Sequence, residues 1–357
     1  MPERLDFAPA PPPSLASVGQ AIESRVQGLL EAEIERWTLV DETLRAPLEA
    51  LQSLVMAGGK RLRPAFCHWA FVGAGGDPSD QTVVDVGAAL ELLHTFALVH
   101  DDVMDNADRR RGEPSVHARA MSDHATAGWR GEGRRFGEGV AILVGDFAFV
   151  YADMLVAALD SEARALYDEL RVELCVGQYL DLAATASGAR DSSQARRIEW
   201  YKSGKYTVER PLHLGASLAG RADDLTAPFS AFGLPLGEAF QMRDDLLSVF
   251  GDPVVTGKPV GDDLREGKLT PLVAATAQLA DADGKALLER IGAPDISADE
   301  IAALQQTMID CGAVAEVEAA IEALVEESLD ALNRAPITSD ARTALADLGA
   351  FVAWRDR

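Results

Sequence analysis

Cysteine, basic residues and aromatics are all scarce in this sequence, and each scarcity narrows what it can do. Its 357 residues include three cysteines, Cys67, Cys175 and Cys311. They are far apart in apolar surroundings, so they form neither a disulfide framework nor a metal-ligand pattern. A reducing, cytoplasmic compartment is expected. Lys and Arg number 33 against 57 Asp and Glu, giving a formal charge of -24. So acidic a chain lacks the basic face that nucleic acid or an anionic membrane requires. No basic-then-apolar leader opens it. Alternating strand-like runs are missing too, since Val and Ile are scattered. The apolar stretch from Val140 to Leu159 carries Asp146 and Asp153, so it reads as a buried helix and no transmembrane segment is expected. A nucleotide loop is also absent. One residue too many separates Gly251 from Gly257, Pro259 stands where Ser or Thr belongs, and no strand precedes.

Helix is what remains. Residues 1–15 contain the run APAPPPS and read as a disordered proline-rich tail. Residues 16–357 read as a single all-α domain, with 48% apolar residues to fill its core. Apolar residues recur at helical spacing from Val18 to Ala57, with a break marked by Pro47. Further helices are predicted at about 80–105, 140–159, 161–186, 195–201, 206–219, 225–250, 269–291, 298–311, 312–333 and 340–355. The Gly- and Arg-rich stretch from Gly112 to Gly139 reads as a long loop.

The helix before Asp105 is the informative one. From Val83 to Val99 it is apolar on nearly every side, which places it inside a bundle. At its end Asp101 and Asp105 lie four apart, on one face. Two such carboxylates repel unless a cation joins them, and magnesium takes oxygen ligands together with water and phosphate oxygens. Arg109, Arg110 and Arg111 follow, with forked donors suited to phosphate. An acidic clamp and an arginine cluster at the end of an apolar helix suggest a substrate with a diphosphate head and an apolar tail. A second acidic pair, Asp244 and Asp245, lies on a later helix. Cationic segments stand at Lys60-Arg61-Leu62-Arg63, at Lys202-Ser203-Gly204-Lys205, and at Lys258, Arg265 and Lys268.

With these landmarks in this order, from Gly58 to Lys268, the sequence resembles the trans-isoprenyl diphosphate synthase, or polyprenyl synthetase, family. The motifs are GGKRLRP, DDVMD and DDLLS. The resemblance implies an all-α bundle around a central cavity, usually a homodimer. It implies that an allylic diphosphate is condensed with isopentenyl diphosphate to give a linear isoprenoid diphosphate. By the same resemblance, Asp101 and Asp105 bind magnesium and Asp244 completes a set of three ions. Lys60, Arg63, His94 and Arg111 bind isopentenyl diphosphate. Arg110, Lys202, Ser203, Gln241, Lys258 and Lys268 bind the allylic diphosphate. One departure stands out: Ser248 replaces the usual last aspartate of the second motif.

Plainer readings exist for several of these residues. A histidine on an apolar face is more often a core residue, and only the resemblance gives His94 a ligand role. His100 and Asp146 read as structural, and Lys205 as a surface charge. A terpene cyclase would need one diphosphate site, whereas the cationic equipment here suits two. A non-catalytic partner subunit should have lost its aspartates, and both sets persist.

Product length is the finest expectation. A helix rises about 1.5 Å per residue, so Ala97 lies about 6 Å below Asp101 on the same face, roughly one isoprene unit. Phe96 is turned about 100° away from it. Leu93 would be the next barrier. An aromatic residue followed by a small one resembles the twenty-carbon producers, so geranylgeranyl diphosphate is expected, with farnesyl or longer products as alternatives.

Overall fold

The computed structural model describes residues 11–110, 112–188, 191–251 and 260–354. Helix dominates them, and one two-residue hairpin, Arg109–Arg110 with Glu113–Pro114, holds the described strands. The chain divides into two compact units.

One unit comprises Pro13–His68 and Asp77–Asp160. It contains α1 (Pro13–Thr38), α2 (Arg45–Met56), the start of α3 (Leu62–Gly73), α4 (Gln81–Met104), α5 (Val116–Thr126) and α6 (Gly133–Leu155). The first helix thus begins at Pro13, inside the stretch read as a tail. The break expected at Pro47 falls earlier, at residues 39–41. Pro47 sits in the first turn of α2, where a missing N–H costs nothing. The long loop expected from Gly112 to Gly139 holds all of α5 and the start of α6. Ser115 caps α5, its hydroxyl accepting from the Ala118 N–H.

Helix α4 is the spine of this unit. Asp80 caps its start by accepting from the Thr82 N–H at 2.8 Å. Leu90, Leu92, Leu93 and Val99 are fully buried, as are Val144 and Ala148 on α6, its main neighbour. Among the described residues α4 alone is long and apolar enough to cross a membrane. Most of it is buried inside the protein, so its apolar sides face other helices.

The other unit comprises Trp69–Gly76 and the chain from Ser161 onward. It holds α7 (Ser161–Ser187), α8 (Ser192–Glu199), a π-helix (Trp200–Glu209), α9 (Arg210–Leu218), α10 (Ala222–Phe250) and α11 (Asp262–Glu266). After these come α12 (Pro271–Leu279), α13 (Ala282–Leu288), α14 (Ala298–Asp310), α15 (Ala313–Arg334) and α16 (Ser339–Trp354). Its core gathers Leu246, Val249, Leu272, Leu304, Met308 and Ile321. The single helix expected over 269–291 is two, because Asp281 caps a new start by accepting from Gly284.

The gap read between two helices at residues 201–206 is the π-helix. Pro211 has no N–H to continue the α ladder, and Arg210 donates to the Lys205 carbonyl, five residues back. Runs of this register are rare and frequent at functional sites. Close packing holds it in place. A Cβ on Gly177 would lie 2.2 Å from the Lys202 backbone nitrogen, and one on Gly237 would lie 2.6 Å from Gly204 Cα. Larger residues at either position would push the π-helix off α7 and α10.

Candidate active site

The end of α4 carries the first acidic set. Asp101 lies in the last turn, and Asp105 caps the helix with its N–H donating to the Asp101 carbonyl at 2.8 Å. Both carboxylates are half-buried, at the negative end of the helix, where a cation is favoured. No group of three described His, Cys, Asp or Glu side chains converges as a ready-made metal cage. Two carboxylates four residues apart suit magnesium, which keeps water and phosphate oxygens in its shell.

Asp102, which the sequence reading passed over, organises the arginine side of this set. It is buried and accepts from Arg110 Nε at 2.8 Å, and a terminal nitrogen of the same guanidinium also bonds it. Burial raises its carboxyl above the usual range, while the Arg110 charge opposes that rise. Arg110 also comes within 3.6 Å of Asp101. Arg109 is exposed and donates to the Gly112 carbonyl. Arg111 lies outside the described residues.

Of the cations at the start of α3, Lys60 and Arg63 are half-buried. Arg61 between them serves the fold. It is buried, bonding Glu91 at 2.5 Å and the Val55 carbonyl at 2.7 Å. Its φ of 50° turns the chain between its neighbours.

His94, Ala97, Leu98, Asp101 and Asp105 share one face of α4, and all are half-buried. Leu93 is fully buried. Phe96 leans the other way, with its ring centroid 4.6 Å from His100 and 4.9 Å from Phe149 of α6. His100 is structural, as expected: its Nε2 donates to the Ile142 carbonyl at 3.0 Å. Asp146 is largely exposed, 3.9 Å from His100, and is no buried anchor.

The second set lies in the other unit. The π-helix presents Lys202 and Ser203, both half-buried. Lys202 bonds Asp181 of α7 at 2.5 Å. Lys205 is not a surface charge. It is only 18% exposed and bonds the buried Glu173 at 2.6 Å, and Arg210 grips the same carboxylate. These pairs pin the π-helix to α7.

On α10, Asp244 is half-buried and Asp245 is buried. Gln241 donates to Asp245 at 2.8 Å. Asp245 also meets the carboxyl of Glu199, which is buried at the end of α8. Two carboxyls in contact, away from solvent, are tenable only if one keeps its proton. Burial and the neighbouring Asp263 push Asp245 up to about 8, and burial together with Asp245 raises Glu199 well above the ordinary range.

Ser248 has a structural use. Its hydroxyl accepts from the Asp263 N–H at 3.3 Å and its carbonyl from the Gly261 N–H at 3.0 Å, fixing the entry to α11. Lys268 is half-buried and pairs with Glu266 at 2.5 Å. Lys258 lies outside the described residues.

Comparison with known proteins places the chain in a family. A family model described as polyprenyl synthetase matches residues 45–308. A short chain isoprenyl diphosphate synthase of Methanothermobacter thermautotrophicus is 32% identical over 90% of this chain and 94% of its own. A geranylgeranyl diphosphate synthase of Mycobacterium tuberculosis is 38% identical over 61% of this chain and 59% of its own. The crystal structure of a geranylgeranyl pyrophosphate synthase from Corynebacterium glutamicum, complexed with isoprenyl diphosphate and magnesium, superposes with a TM-score of 0.91. It is 34% identical and covers 96% of this chain and 99% of that one.

Proposed function

The chain belongs to the polyprenyl synthetase family and is a prenyltransferase that makes linear isoprenoid diphosphates, and we propose that it adds isopentenyl diphosphate to an allylic diphosphate and stops at geranylgeranyl diphosphate. The carrying observation is the end of α4, where Asp101 and Asp105 share a face with the small Ala97 one turn below and Arg110 is held beside them by Asp102. The similarity to geranylgeranyl synthases from two genera supports the product.

In this reading Asp101, Asp105 and Asp244 would be the magnesium ligands, with three ions bound. The metal supplies Lewis-acid stabilisation of the charge that gathers on the departing diphosphate. Arg110, Lys202, Ser203, Gln241, Lys258 and Lys268 bind the allylic diphosphate, and their fixed positive charges and N–H donors favour the same charge. Lys60, Arg63, His94 and Arg111 hold isopentenyl diphosphate, so that its double bond faces the allylic carbon. The allylic carbon–oxygen bond breaks, the double bond attacks the resulting cation, and loss of one proton restores a double bond. No side-chain nucleophile is required. The apolar face of α4 below Asp101 keeps water from the cation.

Self-association belongs to the proposal. Phe136, Leu143, Val150 and Met154 recur along one exposed side of α6, the kind of apolar stripe that a second copy would cover. So does a cytoplasmic location, since all three cysteines are free thiols.

The test is direct. Purified full-length protein with magnesium and labelled isopentenyl diphosphate is offered dimethylallyl, geranyl or farnesyl diphosphate in turn. The dephosphorylated products are then chromatographed. A dominant twenty-carbon alcohol is expected. A dominant product of fifteen carbons, or of twenty-five or more, would overturn the length assignment, and failure with every primer would overturn the condensation itself.

A further inference from the structure

We propose that Phe149, on α6, is a second determinant of product length, acting as a positioning residue for Phe96. The inference rests on the reading that a growing prenyl chain runs from Asp101 along the Ala97 face of α4.

Phe96 does not choose its own place. Its ring is flanked by two others, His100 at 4.6 Å and Phe149 at 4.9 Å, in edge and tilted geometries that aromatic pairs prefer. His100 is itself fixed by α6, through its bond to the Ile142 carbonyl. It can lie there only because residue 145 is glycine: a Cβ at Gly145 would stand 2.3 Å from His100 Nε2. Gly145 and Phe149 are one turn apart on α6, as Phe96 and His100 are on α4. Together the four residues form one stack between two neighbouring helices of the same unit. Phe96 is half-buried and Ala97, next to it, bounds the proposed path. The distance from the Phe96 ring to that path is therefore set from α6.

Two substitutions on α6 should move product length in opposite directions. Phe149→Ala removes the support behind Phe96, so the ring recedes from the Ala97 face and products lengthen. Gly145→Ala places a methyl against His100, which displaces it towards Phe96 and Phe96 towards the path, so products shorten. Neither residue reaches the diphosphate groups in this reading, so neither needs to alter which primer is accepted.

The experiment compares the wild type with Phe149→Ala, Phe149→Leu, Phe96→Ala, Phe96→Ala/Phe149→Ala and Gly145→Ala. Product distributions are taken from the full chain with magnesium, as fractions of total product. Thermal melts check folding, and Phe149→Leu keeps most of the volume should the alanine variant fail to fold. The twenty-five-carbon and longer fraction should rise several-fold in Phe149→Ala and less in Phe149→Leu. The double variant should go no further than Phe96→Ala alone, because both changes act on one ring. Gly145→Ala should raise the fifteen-carbon fraction. A wild-type distribution in both Phe149 variants, with Phe96→Ala altered, would overturn the bracing role while leaving the path intact. Additive lengthening in the double variant would overturn it too. Unchanged distributions in every variant, with condensation intact, would instead remove the path itself.

Discussion

Arg110 reaches back eight residues to lay its guanidinium on the buried carboxylate of Asp102, Nε to oxygen at 2.8 Å. Asp101 and Asp105, on either side of that carboxylate in sequence, stay half-buried. The motif thus contains two kinds of aspartate. Asp102→Ala should release Arg110 and raise the allylic KM about tenfold or more, the cost of a lost bond to a charged group. Asp101→Ala should instead cut kcat by orders of magnitude, since it removes a carboxylate proposed to hold the metal. Steady-state constants in saturating magnesium distinguish the two. Equal kcat losses in both variants would mean that Asp102 touches the metal as well.

The same division governs Lys60, Arg61 and Arg63. Arg61 and Glu91 are a buried pair at 2.5 Å, with side chains 5% and 4% exposed. Removing one partner strands a charge in the core. Arg61→Ala or Glu91→Ala should therefore destabilise the fold by about 3–5 kcal/mol, and Arg61→Met/Glu91→Leu by distinctly less. Urea denaturation reads this. Single variants as stable as the wild type would show that the pair contributes only to specificity.

Glu199 and Asp245 make stability depend on pH. The Asp245 carboxyl is raised from 3.8 to about 8 in the folded protein. Between those values the folded chain keeps a proton that the unfolded chain has lost. Stability must therefore fall as pH rises from about 4 to about 8. Metal-free protein should lose thermal stability across that range, and Asp245→Asn should flatten the loss. A parallel decline in the variant would place the titrating group elsewhere.

Much of this was legible in advance. The all-round apolar character of α4 and the spacing of Asp101 and Asp105 are local properties, set by helix geometry alone. Asp102, Arg61, Asp181 and Phe149 were not legible, because each acts through a partner supplied by tertiary contact. Phe149, for instance, lies 53 residues from Phe96 in the sequence and meets it only where α6 packs on α4. Lys205 shows the converse error. A lysine beside a glycine reads as exposed, yet burial of Glu173 draws it in. The π-helix escaped for another reason. Its place depends on close approach at Gly177, Gly204 and Gly237, and no sequence period marks it.

Lys60 and Lys202 belong to different units and should serve different substrates. Lys60→Ala should raise the KM for isopentenyl diphosphate by about tenfold and leave the allylic KM nearly unchanged. Lys202→Ala should do the reverse, each having lost one charge-assisted contact to phosphate. Both constants, measured for both variants, are the readout. Matched increases for both substrates in both variants would contradict separate assignments.

Ala97 carries the sharpest expectation. It lies four residues before Asp101 on the same face, about 6 Å along the helix, and it is half-buried. Alanine leaves that level open, while Phe96 is held aside against Phe149 and His100. A ring introduced at position 97 would lie on the proposed path. Ala97→Phe should therefore shift the main product from twenty carbons to fifteen, whereas Ala97→Val, smaller by most of a ring, should shorten it only in part. Turnover of dimethylallyl diphosphate in the first condensation should suffer least, because that primer is the shortest. Chromatography of the dephosphorylated alcohols gives the answer. An undiminished twenty-carbon product from Ala97→Phe would mean that the chain descends along another face of the helix, and the length assignment would lose its geometric basis.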